Sequence, residues 1–280
     1  MALSDWLALA RFEHGVMTLV GVLLGALMAG GSADLRLVAA ALGPAIITLA
    51  AFISNDCFDV ATDKALGRTD RPLVSGRVSL RNAHLASVAF FAVGLALAFY
   101  AGFALFVIAF AYSLAAVAYN AFLKRLPLVG NLYVASSMAV PFVYGAVAAA
   151  GVRGVPYLVW VFALLAFVAG VGRELLITTR DVEGDRHVGA LTLPMVLGAY
   201  FTLALSLVLF IVAVFVSFLP LAQNSSMSYA VLVGACDAIL LYSGVSALND
   251  PSFKNLSRLR NYSLAALLLG LAGFAALTLL

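Results

Sequence analysis

Charge is scarce in this chain: Asp, Glu, Lys and Arg together make up 10% of the 280 residues, against 64% hydrophobic ones. With a mean hydropathy of +1.09, no water-soluble surface can be assembled, and a soluble globular protein is excluded. Cysteine is nearly absent. Cys57 and Cys236 are too few for a disulfide framework or a thiolate metal site, and both are expected to pack as small apolar groups. Histidine is sparse too, and His14, His84 and His187 are scattered without ligand spacing. The net charge of +3 needs no nucleic-acid partner, because basic loops beside anionic headgroups account for it. Neither a soluble domain nor a low-complexity linker is visible, so 1–280 reads as a single transmembrane domain.

What the chain has in abundance is long apolar runs. A spanning helix needs about 20 mainly apolar residues, and nine such segments can be marked: 14–32, 36–56, 82–101, 103–122, 128–150, 155–177, 195–220, 227–248 and 261–280. Ala101-Gly102 marks a turn between two spans, not the middle of one long kinked helix. The first run is too long for a secretory h-region and has no small-residue cleavage pattern after it, so no signal peptide is expected. The expected fold is an all-α integral membrane protein. The glycines, 23 in all, suit close helix packing in lipid.

Orientation follows from the basic residues. Fourteen of the sixteen Lys and Arg fall at the N-terminus or near the connections after spans two, four, six and eight; the other face keeps Arg36 and Arg153. The N-terminus is therefore expected in the cytoplasm and the C-terminus outside, in a multi-pass protein of the cell membrane.

Against this background two acidic clusters stand out: Asn55-Asp56-x-x-Asp59-x-x-x-Asp63 and Asp181-x-x-x-Asp185. Each closes an apolar run on the predicted cytoplasmic side, where charge at a lipid boundary points to function. Measured from Asn55 on a helical wheel, Asp59 lies at about 40°, Asp63 at about 80° and Asp56 at about 100°, so one helix would present all four on one face. Like charges so placed repel by several tenths of a kcal/mol per neighbouring pair, and a cation must compensate them. Asp181 and Asp185 repeat the arrangement one turn apart, with Glu174 within about 20° of Asp181; Gly184 is a candidate early helix end. Single acids at helix ends are usually solvated termini, but two spaced clusters that avoid most other ends are not. Oxygen donors without histidine or cysteine favour magnesium.

The segment from Lys64 to Ser79 follows directly on the first cluster. Arg68, Arg71 and Arg77 supply forked donors matched to phosphate oxygens, and Pro72 and Gly76 shape a loop. Basic cytoplasmic loops are ordinarily topology determinants; beside a metal site the same arginines become candidates for diphosphate.

These residues resemble the UbiA superfamily of intramembrane prenyltransferases. The resemblance is carried by Asn55-Asp-x-x-Asp59-x-x-x-Asp63, Asp70-Arg-Pro-Leu-Val-Ser-Gly76, the Lys124–Asn131 loop and Asp181-x-x-x-Asp185, and it covers most of the chain. Within the superfamily, Arg173-Glu174 leading into Asp181, then Thr192-Leu-Pro194 and Gly198, looks like the archaeal geranylgeranylglyceryl phosphate geranylgeranyltransferases. Those usually carry an acid where Thr178 stands.

The resemblance implies nine transmembrane helices surrounding a central cavity with the acidic motifs at its cytoplasmic mouth. It implies a magnesium ion on Asn55, Asp59 and Asp63, with Asp56 beside them, and a second on Asp181 and Asp185. Both would hold the diphosphate of a polyprenyl donor. The acceptor it implies is a glycerol phosphate lipid. Arg11 and Lys124 stand where the family places phosphate-binding bases. Tyr119, Phe122, Tyr133 and Tyr144 are candidate cavity linings, and Asn131 a candidate partner of an acid or of the donor. Asp237, inside the eighth span, is expected only to take a buried hydrogen bond. Two other readings stay open: prenylation of an aromatic acid, as in quinone biosynthesis, and a cation-coupled transporter.

Overall fold

The computed structural model describes residues 2–187, 189–223 and 226–279. The His187 side chain and Asn224 and Ser225, between the seventh and eighth expected spans, lie outside the described residues. Every regular element among the described residues is helical. Eight helices are long and apolar enough to cross a membrane; Leu3–Ala10 and Phe12–Met28, bent by 56°, make a ninth candidate if taken together.

Several helices outrun the apolar runs that announced them. The second expected span, 36–56, is part of a helix over Leu35–Ala65, and 155–177 part of one over Tyr157–His187. Gly184 does not end the latter, since one glycine costs a helix only about 1 kcal/mol. Each of these helices has 31 residues, about 46 Å, against a hydrocarbon core of about 30 Å. Hydropathy marks the apolar slab, whereas the backbone stays helical into the headgroups. The last helix likewise begins at Phe253, eight residues before its apolar run. There Asn255 Nδ2 donates to Ser246 O (3.1 Å) and Asp250 O (2.7 Å), tying the tight turn to the new helix.

The chain divides into two compact units. The first comprises Met1–Phe122 and Tyr144–Val155. It contains α1 (Leu3–Ala10), α2 (Phe12–Met28), α3 (Leu35–Ala65), α4 (Leu80–Ala101), α5 (Phe103–Ala121) and the end of α6 (Val129–Ala150). α3 packs against α1, α2, α4 and α5. Glycine permits the closest approaches. A Cβ on Gly94 would lie 2.8 Å from Gly43 O of α3, and one on Gly145 of α6 would lie 1.9 Å from Val22 O of α2. Lipid supplies no hydrophobic drive between helices, so such backbone contact carries the association. Leu73 and Val78 of the arginine-rich loop are buried with Leu9, Ala10, Ile53, Cys57 and Ala83. This small core seats the loop against α1, α3 and α4.

The second unit comprises Leu123–Val143 and Pro156–Leu280. It contains the start of α6, then α7 (Tyr157–His187), α8 (Leu193–Leu197), α9 (Ala199–Ser217), α10 (Leu219–Gln223), α11 (Met227–Asn249) and α12 (Phe253–Leu279). α7 packs on α9 and α12, and α11 on α9 and α12. Leu176, Leu203, Ala247, Leu256 and Leu259 form the core where these helices meet. Asp237 takes the expected hydrogen bond, accepting from Ser217 Oγ at 2.7 Å. Both cysteines are buried and free, as expected.

Gly145→Ala is expected to destabilise the protein by about 1–3 kcal/mol through overpacking. The matched substitution Gly234→Ala, whose added Cβ meets nothing within 4 Å, is expected to leave melting unchanged. Thermal unfolding of both variants in one detergent checks the pair, and equal melting temperatures would contradict it.

Candidate active site

In the first unit, α3 continues unbroken through the first acidic motif, so Asn55, Asp56, Asp59 and Asp63 occupy the shared face expected of one helix. Asp56 and Asp63 are 4% and 3% exposed, and both are matched by arginine. Asp56 Oδ1 accepts from Arg71 Nη1 at 2.7 Å and from Arg11 Nη2 at 3.4 Å. Asp63 Oδ1 accepts from Arg68 Nη1 at 3.2 Å, and its Oδ2 lies 3.8 Å from Arg71 Nε. Arg71 therefore bridges two carboxylates two turns apart. Burial pushes its guanidinium down, but Asp56 and Asp63 more than offset that, and the net direction is up. Arg71 stays charged at every working pH.

The remaining groups of this unit hold the loop and the N-terminus. Arg77 pairs with Asp5 of α1 at 3.3 Å and donates to Ser75 Oγ (2.9 Å) and to Asp70 O. Arg11 sits at the bend between α1 and α2 in the left-handed region (φ 47°), a conformation costing an L residue about 1–2 kcal/mol. Its guanidinium lies over the Phe52 ring, 4.7 Å from the centroid, as well as against Asp56. These contacts offset the backbone cost. Asn55 Nδ2 donates to Asn120 Oδ1 of α5 at 2.9 Å, and Asn120 Nδ2 donates to Ala51 O at 3.4 Å.

In the second unit, α7 carries Arg173, Glu174, Asp181 and Asp185. Arg180 grips the neighbouring Asp181 with both fork arms, Nε to Oδ1 at 2.7 Å and Nη2 to Oδ2 at 2.6 Å. Arg173 Nη1 lies 3.3 Å from Glu174 Oε1. Asn131 of α6 is buried and donates to Thr178 Oγ1 at 2.6 Å, while Thr178 Oγ1 donates to Glu174 O at 2.8 Å. Lys124 lies half-buried in the short 3₁₀ turn Leu123–Arg125. The connection after α7 is tied down where Leu191 N donates to Arg125 O (3.0 Å).

Among the described residues no three acidic, histidine or cysteine side chains converge as a ready metal cage. The acids of the two motifs offer oxygen donors, the type a magnesium ion takes from one or two carboxylates beside the phosphates of its substrate. The donor set is oxygen only, and arginines compensate the acids of each unit. Of the aromatic candidates, Tyr144 is 2% exposed, Tyr119 and Tyr133 are half-buried and Phe122 is 55% exposed. Sequence reasoning missed Asn120, Phe52 and Arg180. Only Asn120 carried a signal, as an amide in an otherwise apolar span.

Long apolar helices ending in arginine-matched carboxylates define a multi-pass membrane protein equipped to handle a polyanion near the lipid boundary. The chain belongs to the UbiA prenyltransferase family, whose model matches residues 17–264. It is therefore an enzyme, a prenyltransferase, and the transporter reading falls. It is 33% identical over 280 residues to the digeranylgeranylglyceryl phosphate synthase of Archaeoglobus fulgidus, covering 96% of this chain and 93% of that protein. To the synthase of the same name from Methanopyrus kandleri it is 36% identical over 244 residues, 87% and 88% of the two chains. Among solved structures, a digeranylgeranylglyceryl phosphate synthase in membranes superposes with a TM-score of 0.77 at 24% identity over 99% of each chain. A UbiA homolog from Archaeoglobus fulgidus bound to GPP and Mg2+ gives 0.62 at 19% identity, covering 97% of this chain and 99% of that one. At these identities the structural likeness speaks for the fold.

Asp56→Asn is expected to loosen both Arg71 and Arg11 and to destabilise the protein by about 1 kcal/mol, the loss of charge-assisted bonds to two half-buried guanidiniums. Limited trypsin digestion should then cut within residues 64–81 several times faster than in the unaltered protein. Unchanged cleavage would show that the loop is held by Leu73 and Val78 alone.

Proposed function

We propose that the chain transfers a geranylgeranyl group from its diphosphate to geranylgeranylglyceryl phosphate, producing a precursor of archaeal ether lipids. The observation that carries this reading is the interleaving of oxygen-only acids with arginine forks at the ends of α3 and α7. The two synthases to which the chain is 33% and 36% identical over most of their length support the choice of acceptor.

In this reading Asn55, Asp59 and Asp63 take one magnesium ion of the donor complex, and Asp181 and Asp185 take a second. A fold-related protein solved with GPP and Mg2+ supports divalent metal use. The metal's contribution is to neutralise charge developing on the departing diphosphate. Arg68 and Arg71, which lie against Asp63, offer guanidinium forks to the phosphate oxygens of the donor. Asp56 keeps its two arginines and positions them. The allylic carbon–oxygen bond breaks with its electron pair leaving on the diphosphate. A hydroxyl oxygen of the acceptor bonds to the allylic carbon and loses its proton. An apolar setting protects the cationic carbon from water, and the donor chain is already in the bilayer, each methylene burying about 0.8 kcal/mol.

The distribution of basic residues supports a cytoplasmic N-terminus and reaction mouth. Cytosolic magnesium and cytosolic diphosphates then reach the acids without crossing the membrane.

Asp59→Asn and Asp185→Asn are each expected to abolish magnesium-dependent diphosphate release while leaving melting near that of the unaltered protein. Full turnover in either variant would remove that cluster from the site. With radiolabelled geranylgeranyl diphosphate and a panel of acceptors, transfer is expected to geranylgeranylglyceryl phosphate. Transfer to 4-hydroxybenzoate alone would place the enzyme in quinone biosynthesis.

A further inference from the structure

α7 holds a charge that the donor chemistry leaves unused. Arg173 stands fourteen residues before the end of the helix, about 21 Å along its axis, and is 8% exposed. Among the described residues its carboxylate contact is to its sequence neighbour Glu174, at 3.3 Å. Adjacent residues on a helix point about 100° apart, so that pairing is oblique. Its buried Nε meets no acceptor among the described residues. A five-donor cation so placed in a membrane helix is costly and points to function.

Arg173 is not alone. Arg180 follows two turns later, its side chain 12% exposed and clasping Asp181. Arg260 of α12, the helix packed on α7, acts electrostatically on both Arg173 and Glu174. Glu174 also feels Asp181 and Arg180, so the five groups form one electrostatic cluster. Three arginines face two carboxylates, leaving one positive charge in excess. Once Asp181 turns to the donor complex, the Arg180 fork is released and the excess rises to two. A phosphate monoester carries close to two negative charges at neutral pH and offers three oxygens suited to guanidinium forks.

We propose that Arg173, Arg180 and Arg260 form an anion site for the phosphate monoester of the acceptor lipid, made of different residues from the Arg68 and Arg71 assigned to the donor. It rests on the reading above for the identity of the acceptor, but not for the existence of the site. Release of Arg180 by Asp181 makes acceptor binding tighter after the donor is in place, which orders the two substrates. A carboxylated aromatic acceptor brings one negative charge and leaves the cluster half-neutralised, so the same arginines select for phosphate.

The test uses the full chain in nanodiscs, with Arg173→Gln, Arg173→Lys and Arg260→Gln beside the unaltered protein. Inorganic phosphate alone, without donor, is expected to raise the melting temperature of the unaltered protein and to lose that effect in both glutamine variants. In turnover, both are expected to raise the KM for geranylgeranylglyceryl phosphate about tenfold or more. The KM for geranylgeranyl diphosphate is expected to stay within about twofold. Arg173→Lys, which keeps charge but loses the fork, is expected to fall between. A rise in the donor KM instead would reassign the arginines to the diphosphate and overturn the proposal, as would an unchanged phosphate shift. Should Arg173→Gln fail to fold, Arg260→Gln, at an exposed position, decides the matter. If no acceptor is prenylated, the proposed reaction fails, while the phosphate shift still judges the site.

Discussion

A carboxylate near hydrocarbon must either find a cation or give up its charge, and this constraint organises both units. In the first, four residues on one face of α3 include three acids, and arginine from two directions answers them: Arg11 from the bend of the N-terminal helices and Arg71 from the loop after α3. In the second, Arg180 answers Asp181 from the same helix. Asp56, Asp63 and Asp181 thereby each meet a guanidinium. Guanidinium forks of this kind also suit phosphate oxygens.

Length is the second ingredient. α3 and α7 are each about half as long again as the hydrocarbon core is thick, so their acidic turns extend past the apolar run while remaining on helix. Side chains on a helix hold their geometry better than side chains on a free loop. The loop that is needed, 66–79, is itself pinned by Leu73, Val78 and the Arg77–Asp5 pair, so its arginines approach α3 from a defined direction. Close glycine contacts at Gly94 and Gly145 bring the helices of the first unit near enough for this small core to form.

Much of this was legible in the chain. Apolar runs of membrane length gave the helix order, and the spacing of Asn55, Asp56, Asp59 and Asp63 implied one helical face, because the 3.6-residue period is local and needs no partner. Helix ends were not legible in the same way. Gly184 looked like a terminator and the run before Asn261 like a loop, yet helix continues through both, since one glycine is a weak stop and Asn255 fastens the turn before the last helix. Partners were less legible still: nothing in the sequence pairs Asn55 with Asn120, 65 residues away, or sets Arg11 over Phe52.

The sequence by itself determined the class of molecule, the list of acids and arginines, and the chemistry to which oxygen donors and guanidinium forks are suited, because composition, hydropathy and helical period are properties of the chain alone. Only the tertiary structure decided which arginine meets which acid. Asp56 takes Arg11 and Arg71, Asp63 takes Arg68, and among the described residues Arg173 meets the oblique Glu174 carboxylate while its Nε finds no acceptor. The physical reason is that pairing depends on how the bend at Arg11 and the loop after α3 are placed against α3, and that placement is set by helix packing and by a loop seated on its own small core.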